Sequence, residues 1–302
     1  MSRRVARLAF LFVVALPAAS QDKAPVASGL WQEVENALGR AGDERDGVFR
    51  VAFPRSDLHV RVAGVNLRPG LALTSWAAFQ KAGNVAMVMG DLVLLVAEVP
   101  PVLAKLSAAG VEITALHNHL VGEAPRVMYV HYHGHGNAAE LATALRAALA
   151  TSATPLATPR SRADSNISPA AGTLDVEMLS NILGRKGTAR AGVVSFSVPR
   201  AEPITAGGAA LGPRMGVATA INLQADGSGA ATTGDFVLLA SEVQPVITAL
   251  RQHEIEVTAL HNHMLDEQPR LFFLHFWGRG AAEKLARGLR AALDMTAHAA
   301  NR

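Results

Sequence analysis

The sequence predicts an α+β protein made of two tandem homologous repeats, each a mainly antiparallel sheet with helices packed on one face. Three observations carry this. Landmarks recur in one order, "LGR" at 38 and 183, "FPR" at 53 and "VPR" at 198, "GDLVLL" at 90 and "GDFVLL" at 234, "TALHNHL" at 114 and "TALHNHM" at 258. From Gly90 onward the two copies stay in step, ending on "LRAAL" at 145 and 289, and such self-similarity is read before any local propensity. Strand-like runs interleave with a few amphipathic stretches and hairpin-length connections, which favours an antiparallel sheet with segregated helices. Between the copies, "TSATPLATPRSRADSNISPAAG" (151–172) is rich in Ser, Thr and Pro without periodicity and reads as a linker. The expected division is therefore a leader at 1–20, a first repeat at 28–150, the linker at 151–172 and a second repeat at 173–296.

Within a copy the elements follow in order. "LWQEVENALGR" places Leu30, Val34 and Leu38 at helical spacing and stops at glycine. "GVFRVAF", "LHVRVAG" and "LALTSWAAF" read as strands. "NVAMVMGDLVLLVAEV" reads as a strand pair turning at Gly90-Asp91, residues that favour a sharp turn. A short helix is expected from Pro100-Pro101, and from Pro245 in the second copy, because proline suits a first helical turn. "VEITALHNHL" and "PRVMYVHYH" are two further strands joined by "VGEAP". A last helix carries Leu141, Leu145 and Leu149, or Leu285, Leu289 and Leu293, as one stripe.

Residues 1–20 differ from the rest. Arg3, Arg4 and Arg7 precede the apolar run "LAFLFVVAL", which Pro17 breaks before Ala18, Ala19 and Ser20. That is the pattern of a secretory signal peptide cleaved near Ser20, and the run is too short for a span needing about 20 apolar residues. A periplasmic or secreted location is expected. Losing those arginines turns 28 basic against 25 acidic residues into an even 25 of each. With no basic run elsewhere, nucleic acid is not an expected partner, nor is an integral membrane span. No cysteine is present, which removes disulfides, thiolate ligands and a lipid-modified cysteine.

The histidines carry the chemistry. Residues two apart in a strand share a face, so His117 pairs with His119 and His131 with His133. A simple hairpin centred near residue 124 would set His117 opposite His131 and gather four imidazoles, with His135 just beyond. In the second copy His261, His263 and His275 match, while Trp277 and Arg279 stand where His133 and His135 stood. Clustered imidazoles without cysteine suit zinc or another divalent transition metal. Glu123 and Glu267, in the connecting loops, could act as general bases toward a metal-bound water in a hydrolase. The alternative is a buried hydrogen-bond network of His and Asn with no metal. Asp91 and Asp235 are explained by the expected turn, and Glu98 and Glu242 by capping the following helix. Arg55, Arg126, Arg200 and Arg270 each adjoin a proline and could pair with Glu123 or Glu267. "GHGNAA" fits Gly-x-Gly-x-x-Ala but lacks the acidic residue about 20 positions later that a dinucleotide fold uses.

"GDLVLLVAEVPPVL", "VTALHNHMLDEQPRLFFLHFWGRG" and "LARGLRAALD" resemble the LppY/LpqO family of exported bacterial proteins, over nearly all of residues 30–295. The resemblance implies an exported protein of one particular fold, present once or twice per chain, and supplies no activity. The matching positions are His117, His119, Glu123, Pro125 and His131, with His261, His263, Glu267, Pro269 and His275. Lipoprotein anchoring, known in mycobacterial members, does not transfer to a chain without cysteine. Taken together, the residues predict an exported protein that binds a divalent transition metal or small ligand at the His clusters. A metal-assisted hydrolase and a structural envelope module are the alternatives.

Overall fold

The computed structural model describes residues 29–157 and 173–299. The expected leader and most of the expected linker lie outside them. The linker's first residues lie against the first repeat, where Thr154 is buried and Arg40 donates to the Pro155 and Ala157 carbonyls.

In the first repeat α1 (Gly29–Leu38) buries Val34 and Leu38 as their spacing predicts, with Trp31 fully buried and the expected Leu30 only partly so. Then come β1 (Asp43–Arg45), β2 (Val48–Pro54), the two-residue pair β3 (Arg61–Val62) and β4 (Val65–Asn66), and the single turn α2 (Pro69–Ala72). β5 (Thr74–Ala82), β6 (Val85–Leu95), α3 (Val99–Ala108), β7 (Glu112–His117), β8 (Val127–Gly136) and α4 (Ala138–Leu149) complete it. The second repeat follows the same plan with α5 (Val176–Leu183), β9 (Thr188–Arg190), β10 (Val193–Pro199), β11 (Ile204–Ala206) and β12 (Ala209–Leu211). It ends with β13 (Ala218–Asp226), β14 (Gly229–Leu238), α6 (Ala240–Gln252), β15 (Glu256–His261), β16 (Phe272–Gly280) and α7 (Ala282–Leu293). Each repeat forms one six-stranded antiparallel sheet, ordered β1-β2-β5-β6-β8-β7 and β9-β10-β13-β14-β16-β15. β7 and β15 are therefore edge strands.

The turn expected at Gly90-Asp91 is absent. β6 runs unbroken from Val85 to Leu95 and pairs along its length with β8, while the hairpin to β5 closes at Gly83 instead. Gly90 is glycine because a Cβ there would overlap the Tyr132 hydroxyl and the Trp76 carbonyl oxygen. At Gly234 it would overlap the Ala220 carbonyl. Helix starts also shift. α3 opens at Val99 after a 3-10 turn over Val96–Glu98, whereas α6 opens at Ala240, upstream of Pro245. There Glu242 closes the first turn by accepting from the Leu239 backbone N–H at 2.7 Å.

Alternation along the strands separates two faces. Val88, Leu92, Leu94, Val130 and Tyr132 face the helices α1, α3 and α4, and Phe236, Leu238, Leu274 and Phe276 face α5, α6 and α7. The opposite faces meet in the middle. Val93, Val127 and Tyr129 share a cluster with Val193, Ala231 and Trp277, and Met87 and Met89 share another with Val237 and Phe273. The segment between β2 and β5, and that between β10 and β13, reaches across to the partner repeat: Val62, Val65 and Leu71 pack with Trp277, and Ile204, Leu211 and Met215 with Val48 and Ala78.

Each arm is anchored by a buried arginine. Arg55 donates to the Val93 carbonyl at 2.6 Å and pairs with Asp57 and Glu98, both at 2.8 Å. Arg200 repeats this with the Val237 carbonyl, Glu202 and Glu242. Their partners are thus the helix-capping glutamates, not Glu123 and Glu267. Among the described residues no helix is long and apolar enough to cross a membrane.

Candidate functional site

The sheets meet with the strand ends bearing the histidines turned inward. β7 and β8 pair His117 with Tyr129 and Ala115 with His131, two residues from the register that a simple hairpin predicts, with a bulge between Ile113 and Ala115. A slip of two preserves the face, so His117, His119 and His131 still converge. β15 and β16 carry the same register and bulge. The connecting loops contain the cis peptides Ala124-Pro125 and Gln268-Pro269.

The two copies do not form two separate clusters. They form one cluster between the repeats, arranged about an approximate two-fold axis. His117 lies on its equivalent His261 with ring centroids 3.6 Å apart. His119 lies on His275 at 3.7 Å, and the equivalent pair His263 and His131 at 3.6 Å. Tyr129 and Phe273 floor the group, under His119 and His263. The edge strands approach closely enough for the Thr258 hydroxyl to donate to the His119 carbonyl at 2.5 Å.

Two carboxylates, Asp91 and Asp235, belong to this cluster and not to turns. Asp91 on β6 has oxygens 3.8 Å from His119 Nε2 and 3.9 Å from His131 Nε2. Asp235 on β14 lies 3.8 Å from both His263 Nε2 and His275 Nδ1. The repeated "GD" was the available signal, since an aspartate flanked by apolar runs on both sides sits in a doubly covered strand. The donor atoms group as Asp91, His119 and His131; as Asp235, His263 and His275; as His117, His119 and His275; and as His117, His131, His261 and His263. Within each group they lie within 4.8 Å of one another.

Burial sets the protonation. His117 is lowered to about 4 and His275 to about 3, and His119, His131, His261 and His263 are lowered too, by desolvation first. Neighbouring histidines push most of them further the same way. All six are thus neutral imidazoles, the form that binds metal. Asp91 is raised to about 8 by burial, partly offset by the Arg50 guanidinium, which stacks over Trp76. Asp235 is raised well above the carboxylate range by burial and then by Asp91.

The hydrogen bonds leave donors pointing inward. His275 Nδ1 bonds the Gly234 carbonyl at 2.9 Å, His131 bonds the Gly90 backbone, and His117 Nδ1 faces the Asn118 carbonyl at 3.3 Å. Such carbonyl partners orient metal-ligating imidazoles. Asp91 Oδ1, Asp235 Oδ1, the Nε2 atoms of His117, His119, His131 and His275, and His261 Nδ1 are buried without a protein partner. His261 Nε2 and His263 Nε2 bond each other at 2.9 Å. An unsatisfied buried polar atom costs roughly 1–3 kcal/mol, so a group of this size rivals the about 5–15 kcal/mol that stabilises a whole domain.

The other predicted site residues lie elsewhere. His133 sits against His135, with centroids 4.6 Å apart, and its ring is close to Gly207 of the second repeat's arm. It joins none of the converging groups. Its counterpart Trp277 instead fills the core beneath the first repeat's arm. Glu123 accepts from Asn118 at 3.5 Å. Glu267, fully buried, accepts from the Leu271 N–H at 2.9 Å and pairs with Arg270 at 3.3 Å. Both glutamates brace their loops and neither enters a converging group.

A model of the family described as Domain of Unknown Function (DUF1259) matches residues 32–151 and again 177–295. No curated protein matches the chain. Two solved structures are similar: a trimeric bacterial microcompartment shell protein PduB (14% identity, 85% of this chain and 90% of that one, TM-score 0.23) and EtuB from Clostridium kluyveri (10% identity, 83% and 88%, TM-score 0.19).

Proposed function

The chain belongs to the DUF1259 family, whose domain it carries twice, and we propose that it binds a divalent transition metal, zinc first, between its repeats. The carrying observation is the convergence of buried carboxylate and imidazole atoms that have no protein partner. Neutral imidazoles backed by carbonyls, with carboxylates 3.8–3.9 Å away, form the nitrogen and oxygen donor set that such ions take. A tetrahedral zinc site places neighbouring donors roughly 3.3–3.5 Å apart, so the donors of each group, which lie within 4.8 Å of one another, draw together on binding. Binding is favoured over hydrolysis because Glu123 and Glu267, the proposed general bases, are engaged in their own loops. Export belongs to the same proposal, supported by the charged, apolar and small-residue order of 1–20 and by the LppY/LpqO resemblance.

Metal analysis of the full chain, purified without a His tag and dialysed against zinc, tests the reading. Stoichiometric metal that is lost in His131→Ala/His275→Ala is the expected result. A wild-type chain that retains no zinc, cobalt or nickel and whose melting temperature ignores all three would overturn it.

A further inference from the structure

The donor groups also bear on how many ions are held. Resting on the metal reading above, we propose that the centre is dinuclear, with one ion on Asp91, His119 and His131 and a second on Asp235, His263 and His275. His117 and His261, whose ring centroids lie 3.6 Å apart, stand on the axis between them as further ligands.

Two observations support two ions. The same three-residue group occurs in each repeat, the aspartate lying 3.8 and 3.9 Å from its two rings in the first and 3.8 Å from both in the second, where His275 meets it through Nδ1 and His131 meets its own through Nε2. That match holds while nearby positions have diverged, His133 becoming Trp277 and His135 becoming Arg279. The donor supply points the same way. Two aspartates and six histidines furnish twice what a four-coordinate ion takes, and one ion would leave buried donor atoms of the other group without a protein partner.

The competing arrangement is mononuclear, on His117, His131, His261 and His263 alone. Paired variants separate the two. Asp91→Ala/His119→Ala leaves that four-histidine group intact, whereas the mirror variant Asp235→Ala/His263→Ala breaks it. Zinc-to-chain ratios would be measured on the untagged full chain after reconstitution, alongside cobalt(II) titration followed by its visible absorption. The dinuclear centre predicts a ratio of two in the wild type, falling to one in each variant, with cobalt saturating at the same equivalents. A ratio of one in the wild type, kept by the first variant and lost by the second, overturns the dinuclear proposal and leaves metal binding standing. A ratio of zero in the wild type overturns both. Circular dichroism identifies a misfolded variant, and the mirror variant then supplies the reading.

Discussion

Replacing Asp91 by asparagine should make the metal-free protein more stable while weakening its response to metal. Burial holds the Asp91 carboxyl at about 8 in the folded chain, against an ordinary 3.8. At pH 7 folding must therefore take up a proton that the unfolded chain has released. At about 1.4 kcal/mol per pH unit, the interval from 3.8 to 7 amounts to about 4 kcal/mol against folding. The side chain is only 8% exposed, so solvent screening removes little of this. An unpartnered amide in its place would cost about 1–3 kcal/mol, which leaves a net gain of about 1–3 kcal/mol, or several degrees in melting temperature for a chain of this size. The sign is fixed by linkage. A carboxyl whose folded value is raised contributes its full stability below the unfolded value and loses it as pH rises toward the folded one. The advantage of Asp91→Asn should thus be present at pH 7 and vanish at pH 4. Thermal unfolding of chelator-treated wild type and variant, followed by circular dichroism at both pH values, measures it. A variant that melts at or below the wild type at pH 7, or keeps its advantage at pH 4, would refute the reasoning.

Other perturbations follow from the same geometry. The six central imidazoles titrate below their ordinary range in the fold, so their contribution is complete above about 6.5 and is lost as pH falls; denaturant midpoints of the metal-free chain should drop between pH 6.5 and 4. Gly90→Ala should destabilise by about 1–3 kcal/mol or more, and Tyr132→Phe should not rescue it, because the Trp76 carbonyl still blocks the new methyl; chemical denaturation of single and double variants checks this. Arg55→Ala should cost about 3–5 kcal/mol by leaving Glu98 without its buried partner, read as a lowered melting temperature. Glu267→Gln should loosen the loop held through Leu271 and Arg270 yet leave the metal-to-chain ratio unchanged.

Much of the architecture was legible because the repeat and the strand alternation are properties of the chain itself. Parity alone put His117, His119 and His131 on one face, and it survived a register two residues away from the expected one. Gly90-Asp91 misled because glycine and aspartate are also turn residues. The reason for the glycine is a tyrosine ring and a carbonyl on a neighbouring strand, and no local pattern reveals that. His133 was misplaced for a related reason: it shares the face of His131 but lies one pleat farther along, under the other repeat's arm. The largest gap was the joining of two clusters into one. Sequence periodicity orients side chains within a sheet and says nothing about which sheet faces which.

Because the imidazoles of His117 and His261 meet across the axis relating the copies, a polypeptide bearing one copy could assemble this arrangement only by pairing with a second molecule of itself. Covalent tethering makes that pairing intramolecular, at an effective concentration on the order of millimolar. Assembly then no longer depends on how dilute the protein is. Tethering also lets the two halves differ, as they do where one copy has tryptophan at 277 and the other histidine at 133.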